Sequence, residues 1–414
     1  MSSASHVVVG GGVNGLSVAW ALAERGADVV VLDKGRLGGG ASGIAGGIVR
    51  NYYRSEPIAE LVRLSVEMFE EEPEAYGFRQ VGYIAAVPRG QVDDLVAIRV
   101  QHDRVGYDSE LVMGASACHE YLTWTWPDWD APVEALLHER RSGWADSMQT
   151  VRRLAEKARA AGVEIREGVE VTGLERHGDA VRAVITDTGR SECDTLVLAP
   201  GPWAARLLAM VGVDANLEYL KAQEGEFALH GAGLSGRAGS EAPVVHLDQA
   251  GPLRSDRDGG VLIDGAWGIY FRMGRTGTGI TGGGLPVLLD ELDLDPYGPD
   301  HNPAHAAEPD FKDFFTSGLA TALRRFRGRS GDWKLSAAGG IVAHTPDNYP
   351  VCDWVLDNTY AIVDSGHGFK TLAIGRLAAD DITDGGEPLL EPFRLDRFER
   401  GALHTASSGP YPWT

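Results

Sequence analysis

Three glycines and one carboxylate near the start of the chain are spaced for holding the phosphates and a ribose of a dinucleotide. Gly10, Gly12 and Gly15 fall at the G-x-G-x-x-G positions of the segment Gly10-Gly-Gly-Val-Asn-Gly15. The first permits a tight turn, the second lets the backbone approach a pyrophosphate, and the third lets a following helix pack close to the preceding strand. Asp33, some twenty residues on, is placed to accept hydrogen bonds from the adenosine ribose hydroxyls. An acid there repels a ribose phosphate, which disfavours NADP. The spacing alone is weak evidence. With 54 glycines in 414 residues, three at these offsets arise by chance about once per chain.

The flanking elements carry the argument. His6-Val-Val-Val9 is an apolar, β-branched run typical of a buried parallel strand. A helix is expected from about Asn14 to Arg25, with an apolar stripe of Leu16, Ala19, Trp20 and Ala23 and a stop at Gly26. Its free N-terminal amides and its dipole point at the phosphates. A second strand, 28–32, then delivers Asp33.

Composition excludes several partners. The formal charge of −21, without any dense run of Lys and Arg, disfavours a phosphate backbone, so no nucleic acid is expected. Cys118, Cys193 and Cys352 are too scattered for a disulfide framework or a metal cage. No metal site is expected, and the cysteines suggest a reducing compartment. No stretch reaches the ~20 apolar residues of a membrane span, and the first strand begins by residue 6, leaving no room for a signal peptide. A cytoplasmic protein without membrane contact is expected.

Farther along, a glycine-rich loop at 35–47 leads into Ile48-Val-Arg-Asn-Tyr-Tyr53, a helical stretch around 58–71 and a strand-like run at 81–87. Residues 88–145, rich in Trp, Pro and Asp, resist assignment. An amphipathic helix at 147–161 precedes strands near 163–165, 169–174 and 180–186. A buried strand from Thr195 then enters the turn Leu198-Ala-Pro-Gly-Pro-Trp203. Residues 217–285 alternate as strands do, 286–310 reads as a loop, and glycine-rich strand character resumes from about 338.

With these segments in view, the chain resembles the D-amino-acid-oxidase-like FAD superfamily, in the branch of monomeric sarcosine oxidase, glycine oxidase and the sarcosine and dimethylglycine dehydrogenases. The likeness rests on Gly10–Gly15, Gly46-Gly-Ile-Val-Arg50, Phe78-Arg-Gln-Val-Gly-Tyr83, Leu198–Trp203, Gly268-Ile-Tyr-Phe-Arg272, Thr345-Pro-Asp347 and Gly366-His-Gly-Phe-Lys370. The first and last are specific, and the others are supporting. Their pairing identifies the cofactor as FAD rather than NAD. The resemblance implies an α/β fold: an FAD-binding Rossmann-like domain of the glutathione-reductase type, with an α+β substrate domain on an antiparallel or mixed sheet. The expected boundaries are 1–80, 146–216 and 336–400 for FAD, 81–145 and 217–335 for substrate, and a tail at 401–414.

In that family the substrate is an amine bearing a carboxylate. The resemblance implies that Arg50 and Lys370 clamp the carboxylate, an arrangement suited to two charge-assisted contacts. The other catalytic candidates are His367 and Tyr270, with Tyr53 and His344 as further candidates for the pocket or the flavin face. The cofactor cleft is expected to draw on Gly10, Gly12, Val13, Asn14, Gly15, Asp33, Lys34 and Ser42. Further contacts are expected from Gly46, Gly47, Ile48, Val171, Ala199, Gly201, Trp203 and Gly340, and from Gly366 to Lys370, including Gly368 and Phe369. The amides of Gly366, His367 and Gly368 are expected to donate towards the flavin C2 carbonyl region, where negative charge grows on reduction.

Two departures from the family pattern matter. Gly340 stands where several relatives tether FAD through Cys, and residues 38–50 hold neither His nor Cys, so noncovalent FAD is expected. Thr281 stands where monomeric sarcosine oxidase has a lysine that promotes reaction with oxygen, with Arg272 and Arg275 as possible substitutes. Slow reoxidation in air is expected, and the electron acceptor stays open between oxygen and another partner. The function expected is FAD-dependent oxidation of a small amino acid or N-alkyl amino acid to an imine that hydrolyses. The alternatives are oxidation of a 2-hydroxy acid, which calls for a His or Arg base near Arg50, and a flavin-binding subunit of a larger dehydrogenase.

Overall fold

A computed structural model describes residues 5–229, 241–274, 279–290 and 293–411. The β-branched runs near the N-terminus pair with one another, as their burial on both faces demands. His6–Val9 lies between Thr195–Leu198 and Val29–Asp33, parallel to both. The six-stranded sheet runs Val351–Leu356, Thr359–Val363, Thr195–Leu198, His6–Val9, Val29–Asp33, Glu164–Glu167, and only the first pair is antiparallel. A small antiparallel sheet of Val171–His177, Ala180–Thr186 and Gly189–Glu192 is built beside it.

The helix after the glycine turn spans Val13–Glu24 and is buried on nearly every side, because Ser147–Ala160 and Ile374–Asp384 both pack against it. A Cβ on Gly375 would lie 2.3 Å from Ser17 Oγ, so this glycine lets the two helices touch. The chain turns at Gly26 in the left-handed region, φ +88°, a conformation without steric cost for glycine.

A second sheet of eight strands runs Lys334–His344, Glu218–Ala228, Gly279–Leu289, Trp267–Met273, Val244–Gln249, Tyr83–Val87, Ala135–Glu139, Ser109–Met113. Every pair is antiparallel except Val244–Gln249 with Tyr83–Val87. Phe227, Phe271, Phe311, Phe315, Trp126, Trp129 and Trp333 form its core. The segment 88–145 resolves into helices Val92–Val105 and Ala115–Thr125 and strands Ser109–Met113, Ala135–Glu139 and Gly143–Ala145. One sequence expectation shifts. Residues 336–344 belong to a strand of this second sheet rather than to the nucleotide sheet, because Lys334–His344 pairs along its whole length with Glu218–Ala228. Along its described length the tail docks on the body: His404 stacks on Tyr349 and Phe393, and Ser408 binds Asp94.

Candidate active site and cofactor cleft

At the strand–turn–helix junction the glycines do steric work. Gly10 has φ +113°, and a Cβ there would lie 2.2 Å from the Ala199 carbonyl oxygen. A Cβ on Gly15 would lie 1.9 Å from the Gly10 carbonyl oxygen. The Val13 amide donates to Ser42 Oγ at 3.2 Å. Asp33 accepts from the Gly11 amide at 2.6 Å and the Gly35 amide at 2.8 Å, which fixes its carboxylate at the mouth of the turn. A cavity of about 910 Å³ opens here, lined by Gly10, Gly12, Val13, Asn14, Asp33, Lys34, Val171, Ala199, Gly201 and Trp203. Gly15 stays behind it, as its packing role requires. Lys34 turns across the cavity rim to pair with Asp295 and lies 3.9 Å over the Trp203 ring. Among the described residues, the buried atoms Asn14 Oδ1 and Trp203 Nε1 have no hydrogen-bond partner. A buried acceptor and donor left unsatisfied at a cleft are what a polar ligand would complete, so these residues fit the dinucleotide half of FAD.

Val13, Ala41, Ser42, Val342 and Asp364 also line a second cavity, of about 620 Å³, so the two spaces adjoin. Gly46, Gly47, Ile48, Arg50, Tyr270, Gly340, Gly366, Gly368, Phe369 and Lys370 all face it. Segments more than 300 residues apart in sequence thus converge on one space. Arg50 is 5% exposed, with its guanidinium 5.5–5.8 Å from the ring centres of Tyr52, Tyr53 and Tyr83. Burial works against its charge, but Tyr83, Tyr53 and Glu139 more than offset this and its pKa is raised. Lys370 donates to the Gly366 carbonyl at 3.2 Å. Burial, and then the charge of Arg50, lower its ammonium pKa to about 7, against the opposing pull of Asp364.

Three expectations change. The His367 ring does not line the cavity: it packs against Tyr53 and Tyr349, with Nδ1 2.7 Å from the Ser365 carbonyl oxygen. The reason is the turn itself, which sends the Gly366 and Gly368 backbone towards the cleft and the intervening side chain into the core. The turn amides are also largely spent within the loop. Gly366 donates to Asp364 Oδ1 at 3.1 Å, His367 to the Asp364 carbonyl at 3.0 Å, and the Gly368 amide also bonds Asp364. Tyr53 is core as well. His344 does face the cavity, with Nδ1 on Asn348 and Nε2 without a partner among the described residues. Burial lowers its pKa to about 4, so the ring is neutral. Arg275 lies outside the described residues.

Sequence reasoning missed the acids of the site. Glu224 lines the cavity and accepts the Tyr270 hydroxyl at 2.9 Å. Burial raises its carboxyl pKa, against Arg272 and Tyr270. Asp364 borders both cavities, and burial raises it too. Tyr83 and His246 form another part of the wall, with Asp248 behind them. The signal was available in period-two form: His246 and Asp248 are two apart in a strand, as are Ala222, Glu224 and Glu226.

Comparison with known proteins follows this geometry. The family model described as FAD dependent oxidoreductase (DAO) matches residues 5–381. The chain is 26% identical over 410 residues to sarcosine oxidase subunit beta of Rhizobium meliloti (strain 1021), covering 96% of this chain and 89% of that one. It is 31% identical over 219 residues to 4-methylaminobutanoate oxidase (formaldehyde-forming) of Paenarthrobacter nicotinovorans, covering 51% of this chain and 26% of that longer protein. In fold it is similar to L-proline dehydrogenase from P. horikoshii, with a TM-score of 0.79, 24% identity and coverage of 97% and 100%. Among the described residues no helix is long and apolar enough to cross a membrane. The chain belongs to the DAO family of FAD dependent oxidoreductases.

Proposed function

We propose that this flavoenzyme oxidises the amine of a small amino acid or N-alkyl amino acid. The observation that carries the reading is the convergence of Arg50 and Lys370 on one 620 Å³ cavity, beside the turn that borders the cofactor cleft. Two basic side chains in a partly apolar cavity hold a carboxylate by charge-assisted contacts and fix its orientation. Bound FAD supplies a hydride acceptor for the carbon next to nitrogen. Tyr270 and Glu224 stand in the wall as polar partners for the substrate, and the resulting imine hydrolyses in water. FAD is held without a covalent bond, since Gly340 occupies the tether position and no cysteine lines either cavity among the described residues. Three separated, buried cysteines favour a reducing, cytoplasmic setting.

A second reading is oxidation of a 2-hydroxy acid, favoured by one observation: His246, bonded to Asp248 and Tyr83, lines the same cavity as Arg50 and is a candidate base. A role within a larger assembly is favoured by the likeness to a protein named as a subunit. Anaerobic addition of glycine, sarcosine, L-proline, lactate and related acids to the purified yellow protein tests these readings. Bleaching by amines is expected, with turnover by the isolated chain. Bleaching by hydroxy acids alone would replace the first reading with the second.

A further inference from the structure

Tyr83, His246 and Asp248 form a hydrogen-bonded line in the cavity wall. Val244–Gln249 pairs with Tyr83–Val87 on one side and Trp267–Met273 on the other. Alternation puts His246 and Asp248 on one face of the sheet. Registry puts Tyr83, the partner of Val244, and Tyr270, the partner of His246, on that same face. Tyr83 Oη is 2.8 Å from His246 Nδ1, and His246 Nε2 is 2.7 Å from Asp248 Oδ1. All three side chains are buried, Asp248 completely. A carboxylate oxygen accepts hydrogen bonds, so the contact with Asp248 places a ring proton of His246 on Nε2. Nδ1 is then bare and accepts the Tyr83 hydroxyl. The oxygen lone pairs of Tyr83 are left for the cavity, beside Arg50.

The chemistry of the reaction creates a need for such a line. At neutral pH an amino acid carries an ammonium group, and its nitrogen has no free lone pair. Loss of hydride from the neighbouring carbon requires that lone pair to form the C=N bond. A proton must leave first. In an α-amino acid the nitrogen is one carbon from the carboxylate, so a substrate anchored on Arg50 brings its ammonium near Tyr83.

We propose that Tyr83, His246 and Asp248 form a proton relay that frees the substrate amine before oxidation. One N–H bond of the ammonium breaks and its proton binds Tyr83 Oη, as the hydroxyl proton of Tyr83 moves to His246 Nδ1. The products are a neutral amine and an imidazolium paired with the Asp248 carboxylate, and no electrons change hands. Tyr83 is the group that meets the substrate, while His246 and Asp248 act through it as positioning residues. Burial holds the Tyr83 phenol far above its ordinary pKa, so it passes a proton on rather than resting as phenolate. The groups facing His246 are Tyr83, Asp248, Tyr270 with Glu224 behind it, and the Tyr52 ring at 5.7 Å. Arg50 lies over Tyr52 and Tyr83, and Glu139, Asp94 and Tyr411 act on Tyr83, Tyr52 and Asp248 from farther off.

The inference rests on the amine reading, and its test separates the two. The rate of anaerobic flavin reduction by whichever of glycine, sarcosine or L-proline bleaches the holoenzyme is measured from pH 6 to 10. Wild type is expected to level off well below the pKa of the substrate's own ammonium group. Tyr83→Phe and His246→Gln are expected to be slower at pH 7 by on the order of 100-fold, and to approach wild type at high pH, where substrate arrives already deprotonated. Variant profiles parallel to wild type at every pH, even if lower, would overturn the relay, because lost packing gives that result. A second readout needs no turnover. With 2-aminoisobutyrate, which has no α-hydrogen to lose, the histidine NMR signals of His246 in wild-type holoenzyme should move from neutral ring to imidazolium, and those in Tyr83→Phe should not. A neutral His246 in the ligand-bound wild type would also overturn the relay. Wild type bleached by hydroxy acids and by no amine would overturn the amine reading itself, before any variant is compared.

Discussion

Arg272 and Thr281 face each other across the pairing of Trp267–Met273 with Gly279–Leu289. Thr281 lines the substrate cavity. Arg272 is buried behind it, 4.1 Å from the Trp144 ring centre, and donates to the Met273 carbonyl at 3.3 Å and the Gly46 carbonyl at 3.5 Å. The cation nearest in the strand is therefore engaged by an aromatic face and two backbone oxygens, while the position beside the reaction space is neutral.

Oxygen takes its first electron as an anion forms, and a fixed cation nearby stabilises that anion. Photoreduced protein is expected to reoxidise slowly in air and faster with an artificial dye. Thr281→Lys is expected to speed reoxidation by air about tenfold or more. Stopped-flow traces decide it, and equal oxygen rates in the two proteins would rule out charge at this position as the cause.

The carboxylate clamp has a measurable size and a measurable pH dependence. Arg50→Ala and Lys370→Ala should each weaken binding of a carboxylate ligand about 10- to 100-fold while leaving the flavin spectrum intact. Lys370 has its ammonium pKa lowered to about 7 by burial and by Arg50. Below that pH the ammonium attracts the carboxylate, and above it the charge is lost. The dissociation constant of acetate, read from flavin absorbance, should therefore rise as pH increases through about 7, and Lys370→Met should flatten the curve. An unchanged slope in that variant would assign the titration to another group.

Glu139 lies under the Arg50 loop, fully buried, accepting the Asn51 amide at 2.6 Å and the Ser142 hydroxyl at 2.5 Å. Burial raises its carboxyl from 4.5 to about 7. A raised pKa means that the folded state favours the protonated form. The extra stability is present below about pH 4.5 and is lost as pH rises through 7, at most about 3 kcal/mol. Glu139→Gln should remove that decline from thermal unfolding curves taken between pH 5 and 8. The same decline in the variant would mean that Glu139 is ionised throughout.

The absence of a tether residue at Gly340 sets a further outcome. Acid precipitation of the yellow protein is expected to leave intact FAD in the supernatant. Flavin that stays with the precipitate would show a covalent bond.

The nucleotide half of the molecule was legible in the sequence because its requirements are local. The distance from Gly10 to Gly15 is set by one turn that must clear the Ala199 carbonyl, and the β-branched run at His6–Val9 and the stop at Gly26 each follow from nearest-neighbour chemistry. Residues 88–145 were not legible, because helix Val92–Val105 carries exposed Val96 and Val100 on its outer face and so blurs its own periodicity. Strand Lys334–His344 looked like any other strand. Its sequence states a preference for extended backbone but not which sheet receives it, and pairing with Glu218–Ala228 decided that.

The same division runs through the site. Arg50 and Lys370 were named through the resemblance of their short glycine-rich motifs to those of the family. Whether a side chain in such a turn points to the cleft or to the core depends on backbone direction over a few residues, which is why His367 packs on Tyr349 while Lys370 reaches the cavity. The Tyr83–His246 bond joins residues 163 positions apart, and the Glu224–Tyr270 bond joins residues 46 apart. Such contacts are set by strand order and register, which arise from packing the two large sheets and the four core clusters of the described residues together, and no local pattern in the chain encodes them.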